Sequence, residues 1–231
     1  MAERKITFVD TTMRDGSHAV RHSFTEEQVS QIAGRLDKCG VPLIELSHGD
    51  GLGGSSYTYG FSKTNEFTLM EAAAKEIKNG RLTVLLLPGI GTIADLKQAK
   101  ACGAKAVRVA THVTEADVSA EHIYAAKELG MMAVGFLMMV HTAPVERIVE
   151  EAKKMESYGA DYINLADSAG YLMPEDVKAR IRAVREAVNI PVGFHAHNNM
   201  GLAIANSLIA VQSGADFVDG TLRGLGAGAG N

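Results

Sequence analysis

Two histidines, His195 and His197, stand two residues apart in Phe194-His195-Ala196-His197-Asn198-Asn199, at the end of a run that reads as a β-strand. Side chains alternate faces along a strand, so the two imidazoles share one face, and Val192, Phe194 and Ala196 take the other. Paired imidazoles suit a divalent cation; two hydrogen-bonded histidines at a strand end are the plain alternative. Two ligands do not close a metal site, so a third must come from elsewhere. Asp15, in Asp10-Thr11-Thr12-Met13-Arg14-Asp15-Gly16, is the natural third. One carboxylate and two imidazoles leave positions open on the ion, as catalysis requires. A pairing with Arg14, or a turn cap before Gly16, is the other reading of Asp15. The donor set accepts Mn²⁺, Mg²⁺, Co²⁺ or Zn²⁺ alike. Arg14 is always cationic and can clamp a carboxylate or stabilise an oxyanion. His18 is placed to act as a general base near neutral pH, with His22 as its rival or as a solvated loop histidine.

The chain that must position these groups alternates strand-like and helix-like segments. Strands are expected at 6–9, 43–46, 82–87, 106–110, 133–139, 162–165, 192–197 and 217–221. Helices are expected at 25–39, 66–78, 92–102, 119–130, 144–158, 174–188 and 202–213. Thr25 and Ser119 read as N-caps, Pro174 as a helix opener and Gly40 as a stop. Small-residue junctions recur before strands (Cys102-Gly103-Ala104, Gly159-Ala160-Asp161, Gly214-Ala215-Asp216), as in one repeated unit. Eight strands, seven followed by a helix, predict a parallel sheet closed into a (β/α)₈ TIM barrel, one α/β domain over 1–231; a doubly wound open sheet is the competitor. The sequence stops just past the eighth strand, so a barrel truncated before its last helix is expected.

Barrels of this kind carry their active groups at the C-terminal strand ends. Seven of the eight histidines fall there, including His48, His112 and His141; only His122 lies in a helix. Gly49-Asp50-Gly51-Leu52-Gly53-Gly54 satisfies G-x-G-x-x-G, but Ser55-Ser56-Tyr57-Thr58-Tyr59-Gly60 follows where an apolar helix should begin, so a mobile loop over the mouth fits better than a dinucleotide site. The glycine-rich run 224–230 follows the last strand, where barrels often hold phosphate; a tight loop beside the site is the alternative.

Composition sets the class. The 231 residues are 46% hydrophobic and 22% charged, enough for one large domain with a proper core. The net charge is -4, the sequence pI is near 6.1, and no basic run exists, which argues against nucleic acid as a partner. Cys39 and Cys102 read as reduced thiols. Met1-Ala2-Glu3-Arg4-Lys5 has no apolar leader, and the longest apolar stretches, such as 131–140, are too short for a bilayer. A soluble cytoplasmic protein is expected.

The Asp10–Gly16 stretch with the late His195-Ala196-His197-Asn198 resembles the signature of the HMG-CoA-lyase-like, pyruvate-carboxyltransferase-like metal barrels. Isopropylmalate synthase, HMG-CoA lyase and the 4-hydroxy-2-oxovalerate aldolases are members. The synthases and lyases usually carry Gln two residues after Arg-Asp-Gly, where this chain has Ser17-His18. With His48-Gly49-Asp50-Gly51-Leu52-Gly53-Gly54-Ser55-Ser56 and Asp167-Ser168-Ala169-Gly170, the pattern is similar to the aldolase branch. The resemblance implies a metal, usually Mn²⁺, on Asp15, His195 and His197, and substrate contacts from Arg14, Asp15, Ser168 and His195. It implies Arg14 as enolate stabiliser, His18 as base, and Asn231 where some relatives have a further ligand. The implied reaction is cleavage of 4-hydroxy-2-oxopentanoate to pyruvate and acetaldehyde in meta-cleavage aromatic catabolism. Such aldolases also carry a C-terminal helical region that packs on an acylating acetaldehyde dehydrogenase and supplies a tyrosine; neither is expected within 1–231. A Claisen-type acyl-CoA synthase or lyase, or a non-catalytic barrel fragment, are the alternatives. No strand offers an inward lysine at its C-terminal end for a Schiff base.

Overall fold

Short β-branched and leucine-rich runs separated by amphipathic helices leave one economical arrangement, in which each strand pairs in parallel with the next. The computed structural model describes residues 5–231; residues 1–4, within the N-terminal segment read as carrying no leader, lie outside them. Eight strands, β1 (Thr7–Met13), β2 (Leu43–Leu46), β3 (Arg81–Leu86), β4 (Ala106–His112), β5 (Met132–Met138), β6 (Tyr162–Asp167), β7 (Val192–Ala196) and β8 (Phe217–Gly220), form a closed barrel in sequence order. Thr7 to Asp10 of β1 pair with Phe217 to Gly220 of β8 and close it. The helices are α1 (Gly16–Ala19), α2 (Glu26–Lys38), α3 (Glu66–Glu76), α4 (Ile93–Ala101), α5 (Ala120–Glu128), α6 (Val145–Ser157), α7 (Pro174–Ala187) and α8 (Ala203–Ser213).

Helix starts follow local chemistry. Thr25 and Thr92 form reciprocal capping boxes with Gln28 and Asp95, and Asn65 accepts from the Phe67 and Thr68 amides. Ser119 stands at the N-cap position of α5 but makes no side-chain cap: it ends a 3₁₀ turn (Ala116–Ser119) in helical φ/ψ, and its hydroxyl donates to the Ala116 carbonyl. On α6, Ile148, Ala152 and Met155 make the buried stripe.

Alternation along each strand sorts the barrel. Ile44, Leu46, Val84, Leu86, Val107, Val109, Ile163 and Leu165 pack outward in one large core with helix residues such as Val29, Ala33 and Ile148. The opposite parity fills the interior. Val9, Leu43, Val134 and Tyr162 form one apolar cluster and Leu85, Ala110, Phe136 and Ala166 another. Between them in register lie Glu45, Arg108 and Asn164, all polar and fully buried.

Two differences from the expected elements matter for the site. β1 continues through Asp10-Thr11-Thr12 to Met13, with a register shift against β2 between Asp10 and Met13, so Arg14 and Asp15 leave directly from a strand end. The four-residue α1 then carries Ser17 and His18, where a loop was expected. Among the described residues no α-helix follows β8, and no helix is long and apolar enough to cross a membrane.

Candidate active site

β7 brings His195 to the barrel interior, and His197 follows just past the strand. Their Nε2 atoms are 3.1 Å apart. His195 Nδ1 lies 2.7 Å from Asp219 Oδ2, and His197 Nδ1 lies 2.9 Å from the Ala229 carbonyl. A carboxylate and a carbonyl only accept, so each ring carries its proton on Nδ1 and a lone pair on Nε2. Two lone pairs therefore converge beside Asp15, whose Oδ2 is 3.9 Å from His197 Nε2, buried, and without a hydrogen-bond partner. One donor atom from each of the three residues lies within 4.8 Å of the others. An unpartnered buried carboxylate oxygen facing two imidazole lone pairs fits a divalent cation. Burial pushes the Asp15 carboxyl up, but Arg14, His195, His197 and His18 together outweigh it and hold Asp15 below its ordinary value. Burial holds His195 below its ordinary value, against the pull of Asp219, and so favours the neutral ring. The Asn231 amide nitrogen lies 2.8 and 2.9 Å from the two ring nitrogens of His195.

Beneath this group runs a chain of charges. Arg14 donates from Nε to Glu45 Oε2 (2.8 Å) and from Nη1 to Asp15 Oδ1 (3.0 Å). Arg108 donates from Nη1 to the same Glu45 oxygen (3.1 Å) and from Nη2 to Asp219, and its guanidinium lies 4.3 Å from the Phe136 ring centroid. Two guanidiniums thus face three carboxylates: Glu45 bridges both, Asp219 takes Arg108, and Asp15, paired with Arg14 through Oδ1, keeps Oδ2 unpartnered toward the histidines. Burial raises the Asp219 carboxyl, but Arg108 and His195 outweigh it, and its pKa lies below the ordinary value. Two guanidinium nitrogens are buried without a partner, Arg108 Nε and Arg14 Nη2; Arg14 lines the cavity beside the histidines, and its Nη2 is a donor free for a bound anion.

Arg14, Asp15, His18, Ser168, His195 and His197 open together on one cavity of about 190 Å³, walled by Leu85, Leu87, Phe136 and Met138. That volume suits a small organic acid. His18 sits against Gly49, where a Cβ would lie 2.5 Å from the His18 Nε2; a Cβ at Gly226 would lie 2.6 Å from Asp15 Oδ2. Ser168 Oγ accepts from the Met139 amide (3.0 Å), which leaves its hydroxyl proton to donate. Neighbouring Asp167 turns away to cap the Tyr171 and Leu172 amides.

The structure separates the remaining histidines. His22 lies outside the cavity: it stacks on His48 at 3.8 Å, and Ser17 Oγ is 3.1 Å from its Nδ1. Burial, then His48 and His18, push His22 down to about 4. His112 pairs locally with Thr114 (2.9 Å), and His141 packs 5.8 Å from Tyr171. The loop after β2 is anchored, contrary to the expectation of a mobile cover. Leu52 is fully buried, and the Glu66 carboxylate accepts from the His48 and Gly53 amides. The 224–230 run packs tightly beside the site, where the Ala229 carbonyl meets His197 and the Gly230 carbonyl accepts from the Asn198 amide.

Glu45, Arg108, Asn164 and Asp219 went unread in the sequence. Each interrupts an apolar strand (Ile44-Glu45-Leu46, Val107-Arg108-Val109, Ile163-Asn164-Leu165, Val218-Asp219). Parallel strands are buried on both faces, so an isolated polar residue there is itself a signal of an interior polar network.

Comparison with known proteins follows the same lines. A family model described as HMGL-like matches residues 5–231. The chain belongs to the HMGL-like family. Among curated relatives of this HMGL-like chain, the 4-hydroxy-2-oxovalerate aldolase of Moorella thermoacetica is 66% identical over 231 residues, covering all of this chain and 68% of that protein. The protein of the same name from Carboxydothermus hydrogenoformans is 60% identical over 228 residues, covering 99% and 68%. The carboxyl transferase domain of Rhizobium etli pyruvate carboxylase shares the fold, with a TM-score of 0.82 at 24% identity over 97% of this chain and 41% of that one.

Proposed function

We propose that this HMGL-like barrel is the catalytic domain of a divalent-metal-dependent aldolase that cleaves 4-hydroxy-2-oxopentanoate to pyruvate and acetaldehyde. The carrying observation is the convergence, on one small cavity, of the Asp15, His195 and His197 donors with His18 and the unpartnered Arg14 Nη2. The names of relatives 66% and 60% identical support the same chemistry and do not favour a Claisen-type acyl-CoA reaction.

Asp15, His195 and His197 would hold the cation, taken here as Mn²⁺, with Asn231 beside them. When bound, it supplies Lewis-acid polarisation of the 2-oxoacid, an effect worth several kcal/mol in such sites. His18 removes the proton of the 4-hydroxyl. The C4–O bond becomes the aldehyde carbonyl as the C3–C4 bond breaks, and the electron pair passes to the 2-oxo group. Arg14 Nη2 donates to the enolate oxygen as its charge develops, an interaction stronger in the transition state than in the ground state. The Ser168 hydroxyl orients the substrate carboxylate. Return of that proton from His18 to C3, directly or through water, then releases pyruvate and restores the base. Asp219 and the Ala229 carbonyl keep both imidazole lone pairs aimed at the cation.

The aldehyde product is the substrate of an acylating acetaldehyde dehydrogenase, which we take as the functional partner, in meta-cleavage aromatic catabolism. A cytoplasmic setting fits the two free thiols, Cys39 and Cys102. Pyruvate release from 4-hydroxy-2-oxopentanoate, followed by coupled NADH oxidation, tests the scheme. Turnover should depend on added Mn²⁺ and collapse in His18→Ala. Normal turnover after exhaustive chelation, or in His18→Ala, would rule the scheme out.

A further inference from the structure

A second group of cation-binding side chains lies at the rim of the cavity, apart from Asp15, His195 and His197. We propose that His18, His22 and Asp50 form a second, weaker divalent-cation site that takes Zn²⁺ and thereby silences His18. One donor atom from each residue lies within 4.8 Å of the others, although they come from α1, the turn after it and the loop after β2. His22 is set for the task. Its Nδ1 is paired with Ser17 Oγ at 3.1 Å, which leaves Nε2 as the donor, and its plane is fixed by stacking on His48. The backbone at His22 is tied on both sides, its amide to the Ser17 carbonyl (2.8 Å) and its carbonyl to the Lys63 amide (2.9 Å). His48 is not a ligand, because its Nε2 is engaged with the Gly60 carbonyl and its Nδ1 accepts from the Asp50 amide. The His18 ring meets His22 edge-on, with centroids 5.1 Å apart.

The order of affinities follows from burial and preorganisation. At the inner site both rings are locked by an Nδ1 partner and all three donors are buried. At the rim the Asp50 side chain is 29% exposed, and a cation must order it. Both sites offer two imidazoles and a carboxylate, so donor type does not tell them apart. For such N/O donors Zn²⁺ binds more tightly than Mn²⁺, so Zn²⁺ fills the weaker site at concentrations where Mn²⁺ does not. A histidine whose lone pair is on Zn²⁺ takes no proton from a substrate hydroxyl. This inhibition rests on the assignment of His18 as the base; the binding itself does not.

The test uses Zn²⁺ alone, titrated into metal-stripped protein against a chromophoric chelator. Wild type should bind two equivalents, the second more weakly. His22→Ala and Asp50→Asn should each lose the second by about tenfold or more and keep the first, which also reports that the variant is folded. Wild type binding one ion, or both variants retaining two, overturns the site. At saturating Mn²⁺, added Zn²⁺ should inhibit pyruvate release in wild type and do so less in both variants. If the second ion is lost while inhibition is unchanged, the inhibition comes from Zn²⁺ replacing Mn²⁺ at the inner site and the silencing of His18 is overturned, while the base assignment is tested separately by His18→Ala.

Discussion

Asp219→Asn tests whether the buried charges under the site hold the ligand set in place. The substitution keeps shape and removes one charge. Asp219 is 6% exposed and receives both His195 Nδ1 and Arg108 Nη2. An amide oxygen still accepts from one of them, but Arg108, fully buried, is left with Glu45, which it already shares with Arg14. Removing one member of a buried ion pair costs about 3–5 kcal/mol; the retained amide bond puts this variant near the low end, about 3 kcal/mol. For a chain of this length that corresponds to a fall in Tm of roughly 6–12 °C. Losing the partner that orients His195, a proposed ligand, should also weaken metal binding about 10–100-fold. Urea unfolding of the metal-stripped protein reads the first quantity, and calorimetric Mn²⁺ titration reads the second. Arg108→Met in the same chain removes the orphaned charge, so the double variant should be more stable than additivity predicts by about 1 kcal/mol or more. An Asp219→Asn protein within about 0.5 kcal/mol of wild type, with Mn²⁺ affinity unchanged within about twofold, refutes the reasoning.

Gly49→Ala places a methyl 2.5 Å from His18 Nε2. His18, the proposed base, must move, so kcat should fall about 100-fold or more with little change in Tm, and an equal loss in both readouts would point to general misfolding instead. Arg14→Lys keeps charge but loses the forked donors to Glu45, Asp15 and the substrate oxygen; kcat should drop about 10²–10³-fold in steady-state pyruvate release. Asp10 has its carboxyl pushed up from 3.8 to about 6, chiefly by burial. The native state thus keeps a proton that the unfolded chain has lost, and this contribution, full below pH 3.8, fades as pH rises through about 6. Asp10→Asn should flatten that slope, worth up to about 3 kcal/mol between pH 4 and 7 in denaturant titrations, and parallel wild-type and variant profiles would contradict it.

Much of the barrel was legible because its signals are local. Strand segments are short apolar runs, helices begin at Thr25, Thr92 and Pro174, and each repeat ends in a small-residue turn. Strand parity alone put His195 and His197 on one face, and the open ligand count singled out Asp15. Local wording misled where the partner is distant. Ser119 reads as a cap by type, but the 3₁₀ turn before α5 takes it into helical geometry. The Gly49–Gly54 loop reads as mobile by composition, but Glu66 from α3 and burial of Leu52 tie it down. The extension of β1 to Met13 depends on pairing with β2, which no property of Asp10-Thr11-Thr12 announces.

By itself, then, the order of residues determined the repeated strand–helix unit, the parity of each strand and the donor types that could meet at one end. Only closure of the barrel decided which of those donors share a cavity. It gathers Arg14, His18 and Ser168 about the three candidate ligands and leaves His112 and His141 outside. It also joins Glu45, Arg108 and Asp219, the last two 111 positions apart, into the network that sets the His195 tautomer and holds the Asp219 carboxyl below its ordinary value. The reason is physical. Backbone propensity acts over a few neighbours, whereas the energy of a charge is set by whatever surrounds it in space once water is excluded.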